Sequence, residues 1–120
     1  MRLGQSMEDY LEAILMIQKQ KGMVRSVDLA RHMGYSKPSI CHAVSILKKE
    51  NYLSVDNDGF LHLTDSGKEV AEKVYEKHLF LTDMLMKAGV GKEAAERDAC
   101  KMEHGISDES FGKLKEIFEQ

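Results

Sequence analysis

A chain of 120 residues, 42% hydrophobic and 31% charged with a single proline, suffices for one domain or two small lobes sharing a core, and excludes a large multidomain enzyme. No run approaches 18 apolar residues, which excludes a membrane-spanning helix. The formal net charge is −3, from 17 basic and 20 acidic residues, so the overall basic character that points directly to nucleic acid is missing.

The opening Met1-Arg2-Leu3-Gly4-Gln5-Ser6 contains neither an apolar signal-peptide stretch nor a small-residue cleavage site, so a cytoplasmic protein is expected. Ser6 followed three residues later by Asp9 reads as a capping-box-like start. Met7, Tyr10, Leu11, Ile14 and Ile17 then recur at helical spacing, predicting a first helix that ends near Gly22. Ser26 is expected to cap a short second helix over 27–32, with Leu29 and Ala30 inward and Gly34 supplying the turn. Ser36 begins a third helix with Pro38 in its first turn and Ile40, Val44 and Leu47 as its buried stripe. Two capped helices joined by a glycine turn resemble a helix-turn-helix. The alternating segments 52–55 and 60–63 flank Asn57-Asp58-Gly59, residues that tolerate the positive φ of a hairpin turn, and so predict a wing. Thr64 caps a long helix through Val70, Val74, His78, Leu81 and Leu85, broken by Gly89 and Gly91. A further helix is predicted over 92–104 with Gly105 as its stop, and a last one from Ser107 carrying Phe111, Leu114, Ile117 and Phe118.

The fold expected is mainly α: an N-terminal winged helix-turn-helix over 1–72, followed by an all-helical lobe over 73–120. Charge is divided in the same sense. Residues 1–55 hold eight Lys/Arg against five Asp/Glu, a balance of +3, whereas residues 56–120 hold nine against fifteen, a balance of −6. The average of −3 thus conceals a basic first part suited to DNA. On the third helix Lys37, Ser39, His42, Ser45, Lys48 and Lys49 lie away from the apolar stripe. Hydroxyls and imidazole near the start of such a helix can bond base edges, while lysines fix the register on phosphates. The same residues would equally form the solvated face of any amphipathic helix; the wing and the added basic residues Lys19, Lys21, Arg25 and Arg31 favour the DNA reading. Cys41 is read as a small buried hydrophobe.

Asp9 and Glu12 leave one face of the first helix, a pattern that also suits acids offsetting the positive end of a helix dipole. Cys100, Glu103 and His104, at i, i+3 and i+4, project a thiolate, a carboxylate and an imidazole from one face, a mixed donor set for a divalent transition metal but not for calcium or magnesium. The alternative is a buried structural Cys beside a solvated Glu-His pair. His78 stands alone on the long helix. The two cysteines fall in different predicted helices, which argues against a disulfide scaffold.

Taken together, Ser6-Met7-Glu8-Asp9-Tyr10-Leu11-Glu12, Ser36-Lys37-Pro38-Ser39, Leu63-Thr64-Asp65-Ser66-Gly67-Lys68, His78 and Cys100-Lys101-Met102-Glu103-His104 resemble the diphtheria toxin repressor and manganese transport regulator family over nearly the whole chain. The resemblance implies a homodimeric, metal-activated repressor of metal-uptake and homeostasis genes, binding a palindromic double-stranded operator. It implies metal ligation by Asp9, Glu12, His78, Cys100, Glu103 and His104, and DNA contacts from Arg25, Ser36, Lys37, Pro38, Ser39, His42 and Lys48. Asp9 and Glu12 match the manganese-responsive branch, and Cys100 the iron-responsive one. Thr82 and Glu96 replace a glutamate and a histidine of the iron branch's ancillary site, where Asp83 is a partial substitute. A thiolate is softer than a carboxylate, which favours Fe2+ over Mn2+, with Co2+, Ni2+ or Zn2+ as surrogates. Ligands from both lobes would restrict hinge motion and so set the spacing of two recognition helices. Two rivals share parts of this pattern: a winged-helix regulator without a metal switch, and a small metal-dependent hydrolase. No separate general base or substrate-sized loop accompanies the ligands, so neither an enzyme nor a small organic substrate is expected.

Overall fold

The computed structural model describes residues 4–119, six helices and a two-stranded sheet, mainly α as expected. Helix α1 (Gln5–Lys21) starts one residue before Ser6, with Gly4 extended at its N-cap and no side-chain cap, so Ser6 lies inside the helix and does not cap it. Helix α2 (Ser26–Met33) likewise starts on Ser26 itself. Arg25 is extended there (φ −111°), and its backbone N–H donates to Asp28 Oδ2 at 2.9 Å, so the aspartate three residues on does the capping expected of Ser26. In α3 (Lys37–Lys49) the expected start is found: the Ser36 hydroxyl accepts the Ser39 N–H at 3.3 Å, and Pro38 occupies the first turn, where no N–H is needed.

Strands β1 (Leu53–Val55) and β2 (Leu61–Leu63) pair antiparallel, Leu53 opposite Leu63 and Val55 opposite Leu61. Alternation buries Leu53 and Leu61 on the inner face and leaves Ser54 and His62 outside. Helix α1 packs against α2, α3 and β2, and α3 against β1; the buried residues of this region include Leu11, Ile14, Val24, Leu29, Ile40 and Leu47. Cys41 is exposed, contrary to expectation. One residue beyond buried Ile40, it is turned some 100° round the helix and off the stripe that Ala43, Val44 and Leu47 continue.

Helix α4 (Asp65–Lys87) is opened by Thr64, whose hydroxyl accepts the Gly67 N–H at 3.1 Å and donates to Asn51 O at 2.8 Å. A Cβ at Gly67 would lie 2.0 Å from Tyr52 O, so this turn admits only glycine. Helix α5 (Lys92–Met102) ends two residues before its predicted limit, and α6 (Asp108–Phe118) starts with the Ser107 hydroxyl accepting the Ser110 N–H at 3.1 Å. Two compact units result, Met1–Glu72 and Lys73–Gln120. In the second, Phe80 meets Phe111 edge-on at 5.3 Å, and Lys77 reaches Asp108 at 3.1 Å and Ile106 O at 3.3 Å. Lys115 pairs with Glu76, which raises its pKa above the ordinary lysine value.

Candidate metal centre and nucleic-acid interface

Within the second unit, His78 continues the buried stripe that Val74 and Leu81 define on α4. On α5 the buried face is Ala95 and Ala99, and the next position of that stripe is Glu103. Glu103 stands one residue past the helix but keeps helical angles (φ −61°, ψ −28°), its N–H donating to Ala99 O at 2.9 Å, so the carboxylate stays in phase with the two alanines. Its side chain is fully buried, beside His104 (3% exposed) and His78 (19% exposed). His78 Nδ1 lies 3.0 Å from Glu103 Oε2, and His104 Nε2 lies 3.3 Å from Glu103 Oε1.

Burying a carboxylate costs several kcal/mol unless its oxygens are paired. Glu103 Oε1 is buried and, among the described residues, receives no hydrogen bond of good geometry, His104 Nε2 standing at 3.3 Å. The Cys100, Glu103 and His104 donor atoms lie within 4.8 Å of one another, Cys100 being the most exposed of the three residues. This reverses the arrangement of a buried structural cysteine beside a solvated Glu-His pair: here the Glu-His pair is buried. A thiol, a carboxylate oxygen short of a partner and an imidazole fit a divalent transition ion, which would supply the missing charge. Asp9 and Glu12 lie one turn apart on α1, Asp9 half-buried and Glu12 buried. The iron branch's ancillary positions are differently employed: Asp83 is paired with Lys87 at 3.0 Å and Glu96 is exposed, while Thr82 Oγ1 is buried with no hydrogen bond.

On α3, outside the buried stripe of Ile40, Ala43, Val44 and Leu47, the residues Lys37, Pro38, Ser39, His42, Ser45, Lys48 and Lys49 are all exposed, with Ser36 exposed at the cap. The Ser36 and Ser39 hydroxyls are 3.0 Å apart, so the first turn presents two coupled hydroxyls. Lys21 is paired with Asp28 at 2.9 Å and stands apart from this face in its bonding. Arg25 is also engaged: its Nη1 donates to Asp58 O at 2.8 Å and its guanidinium lies 4.1 Å above the Phe60 ring.

Sequence reasoning missed the wing's own network. Asp56 Oδ1 accepts the N–H groups of Asp58 (2.9 Å) and Phe60 (3.0 Å), and Oδ2 lies 2.8 Å from His62 Nε2. The His62 contact first, then these backbone N–H groups, hold the Asp56 carboxyl below the usual carboxylate range. Asp at the start of Asp-Asn-Asp-Gly is the available signal, since aspartate bonds its own backbone two residues on.

Two family descriptions match the chain: iron dependent repressor, N-terminal DNA binding domain, over residues 2–61, and iron dependent repressor, metal binding and dimerisation domain, over residues 64–120. The HTH-type transcriptional regulator MntR of Bacillus subtilis is 33% identical over 118 residues, covering 96% of this chain and 83% of the relative. An uncharacterised HTH-type transcriptional regulator of Methanocaldococcus jannaschii is 31% identical over 123 residues, covering 98% and 96%. The crystal structure of T. acidophilum IdeR superposes with a TM-score of 0.83 at 25% identity, covering 94% of this chain and 54% of that one. The metal-dependent transcriptional regulator MtsR, at 24% identity and a TM-score of 0.84, shares the fold over 94% of this chain and 53% of its own. The chain therefore spans about half the length of these solved relatives.

Proposed function

The chain belongs to the iron-dependent repressor family of metal-responsive, DNA-binding transcriptional regulators, and on that premise we propose that it represses metal-uptake and homeostasis genes as a cytoplasmic homodimer on a palindromic operator. In this reading Asp9, Glu12, His78, Cys100, Glu103 and His104 are the metal ligands. Ser36, Lys37, Pro38, Ser39, His42 and Lys48 meet DNA. The observation that carries the metal assignment is the fully buried Glu103 carboxylate, flanked by His78 and His104 with the Cys100 thiol alongside.

A divalent ion bound there supplies the positive charge that a buried carboxylate otherwise lacks. The chain's own residues do the rest. Ala95 and Ala99 keep Glu103 on the buried face of α5; the His78 Nδ1 contact orients one carboxylate oxygen and leaves the other towards His104. The Cys100 sulfur adds a soft donor, which supports Fe2+ over Mn2+, with Co2+, Ni2+ or Zn2+ as surrogates. Because the ligand set draws on both family regions, metal loading is expected to raise operator affinity by selecting a competent arrangement rather than by touching DNA. Exposed Leu79, Met86, Ile117 and Phe118 in the second unit supply apolar surface for a second copy. A regulatory role is favoured over an enzymatic one, since the family's members are regulators.

Anaerobic titration with Fe2+ and Mn2+, followed by DNA binding with and without each ion, tests this reading. Metal-loaded protein is expected to bind DNA more tightly; equal affinity with and without metal would remove the switch. Cys100→Ser is expected to weaken Fe2+ and Co2+ by about tenfold or more, to weaken Mn2+ less, and to abolish the sulfur-to-metal charge-transfer band of the Co2+ form. An unchanged Co2+ spectrum would strike Cys100 from the ligand set.

A further inference from the structure

In the first unit Arg25 spends its main-chain N–H and C=O on the start of α2 and its side chain on the wing. Arg25 forms an isolated antiparallel bridge with Phe60, and next to it the Leu61 N–H donates to Val24 O at 2.7 Å. Its Nη1 donates to Asp58 O at 2.8 Å, across the turn from the bridge, and the guanidinium stacks over Phe60 at 4.1 Å. The turn itself is set by Gly59, whose φ of +86° favours glycine. Backbone pairing thus holds the wing beside its turn, and the guanidinium holds the turn itself.

The wing brings no cation of its own. Residues 53–63 contain no Lys or Arg but do contain Asp56 and Asp58. Asp56 is engaged by His62 and two backbone N–H groups, so with no lysine or arginine of its own the wing depends on other contacts for its angle. We propose that Arg25 is a positioning residue for DNA binding, clamping the β1–β2 turn at a fixed angle through Phe60 and the Asp58 carbonyl, instead of serving as a phosphate ligand. The inference rests on the DNA-binding reading above, and goes beyond it in assigning to the wing a side chain that composition assigns to the backbone of DNA.

A phosphate ligand and a clamp differ in three measurable ways. Losing a phosphate contact lowers the slope of log K against log salt by about 0.9, whereas loosening a cation-free wing leaves the slope unchanged. Lysine replaces arginine well as a point charge on phosphate, but cannot stack flat on Phe60 while donating along the ring plane to Asp58 O. A clamp also acts through its partner, so Arg25 and Phe60 substitutions are non-additive.

The experiment uses the full chain loaded with Mn2+ and a duplex enriched by the wild-type protein from a random-sequence pool. Affinity is measured across a salt series for wild type, Arg25→Gln, Arg25→Lys, Phe60→Leu and the Arg25→Gln/Phe60→Leu pair. Expected are losses of about fivefold to tenfold for Arg25→Gln, no rescue by Arg25→Lys, an unchanged salt slope, and a double variant no weaker than the worse single one. Thermal melts confirm that each variant is folded, and Arg25→Lys carries the decision should Arg25→Gln melt early. A slope lower by about 0.9, rescue by lysine, or additive losses would overturn the clamp while leaving DNA binding intact. Failure of the wild-type chain to enrich any duplex would overturn the DNA-binding reading, and the clamp with it.

Discussion

In the first unit several charged side chains pair at or near the surface: Asp28 with Lys21 and the Arg25 N–H, Asp56 with His62 and two backbone N–H groups, Arg25 with the wing. In the second unit the decisive charge is out of reach of water, in the fully buried Glu103 between two histidines. Exposed pairs are worth about 0–1 kcal/mol and are easily exchanged. A buried carboxylate carries a desolvation penalty of several kcal/mol. The first unit therefore uses charge to adjust the angles of exposed elements, while the second keeps a costly group that makes sense as a ligand.

Glu103→Gln gives the sharpest test of that contrast. The amide keeps the volume and can still bond His78, so the apo protein is expected to melt within a few degrees of wild type, or above it, because a buried charge has been removed. Metal affinity is expected to fall by about 100-fold or more, above the range for altering a residue that merely supports a ligand. Isothermal titration or metal competition reads the second effect and calorimetry the first. A loss of about 3–5 kcal/mol in the apo protein would mean instead that Glu103 stabilises the fold as a buried ion pair with its histidines.

The winged helix-turn-helix and the helical lobe were legible because periodicity, capping hydroxyls and turn glycines act locally: Ser36, Thr64 and Ser107 all accept an N–H in the first turn of their helices. Ser26 does not cap because Arg25 before it is extended and bridged to Phe60 across 35 positions of sequence, whereas α1 begins one residue before Ser6, with Gly4 at its N-cap. Cys41 was misread from its residue type, since free cysteine is often buried, although its phase on α3 sets it outside the stripe. At the candidate metal centre, spacing placed Cys100, Glu103 and His104 on one face but had no means of ranking their exposure. That depends on Ala95 and Ala99, small residues that mark the buried side and carry no metal signal of their own. His78 joins Glu103 from another helix, a pairing that needs the tertiary fold.

A smaller effect separates local from tertiary support at the DNA-reading surface. Ser36→Ala removes the acceptor of the Ser39 N–H and the partner of the Ser39 hydroxyl. The expected cost is about 1 kcal/mol of stability by urea unfolding. The exposed first turn of α3 should fray, raising amide exchange at Ser39 and Ile40. A change within error would mean that the buried Ile40 alone fixes the start of the recognition helix.

The smallest effect concerns acid. Lys21 first, then the Arg25 N–H, hold the Asp28 carboxyl below its ordinary value, and His62, then the Phe60 and Asp58 N–H groups, do the same for Asp56. A carboxyl whose pKa is lower folded than unfolded contributes stability that is complete above the unfolded value, about 4, and is lost as pH falls through the folded one. In the apo protein, then, the contribution of these two carboxyls to the wing and the start of α2 should be complete down to about pH 4 and be lost below it. Amide resonances of Phe60 and Asp58, followed by NMR, read the wing directly. Asp56→Asn retains an acceptor oxygen for both N–H groups and removes the titration, so it should flatten the acid response at Phe60 while leaving that at the Arg25 amide, which reports on Asp28. A Phe60 amide that moves already above pH 5, or that keeps its acid response in Asp56→Asn, would show that the wing answers to a group other than the carboxylate at its turn.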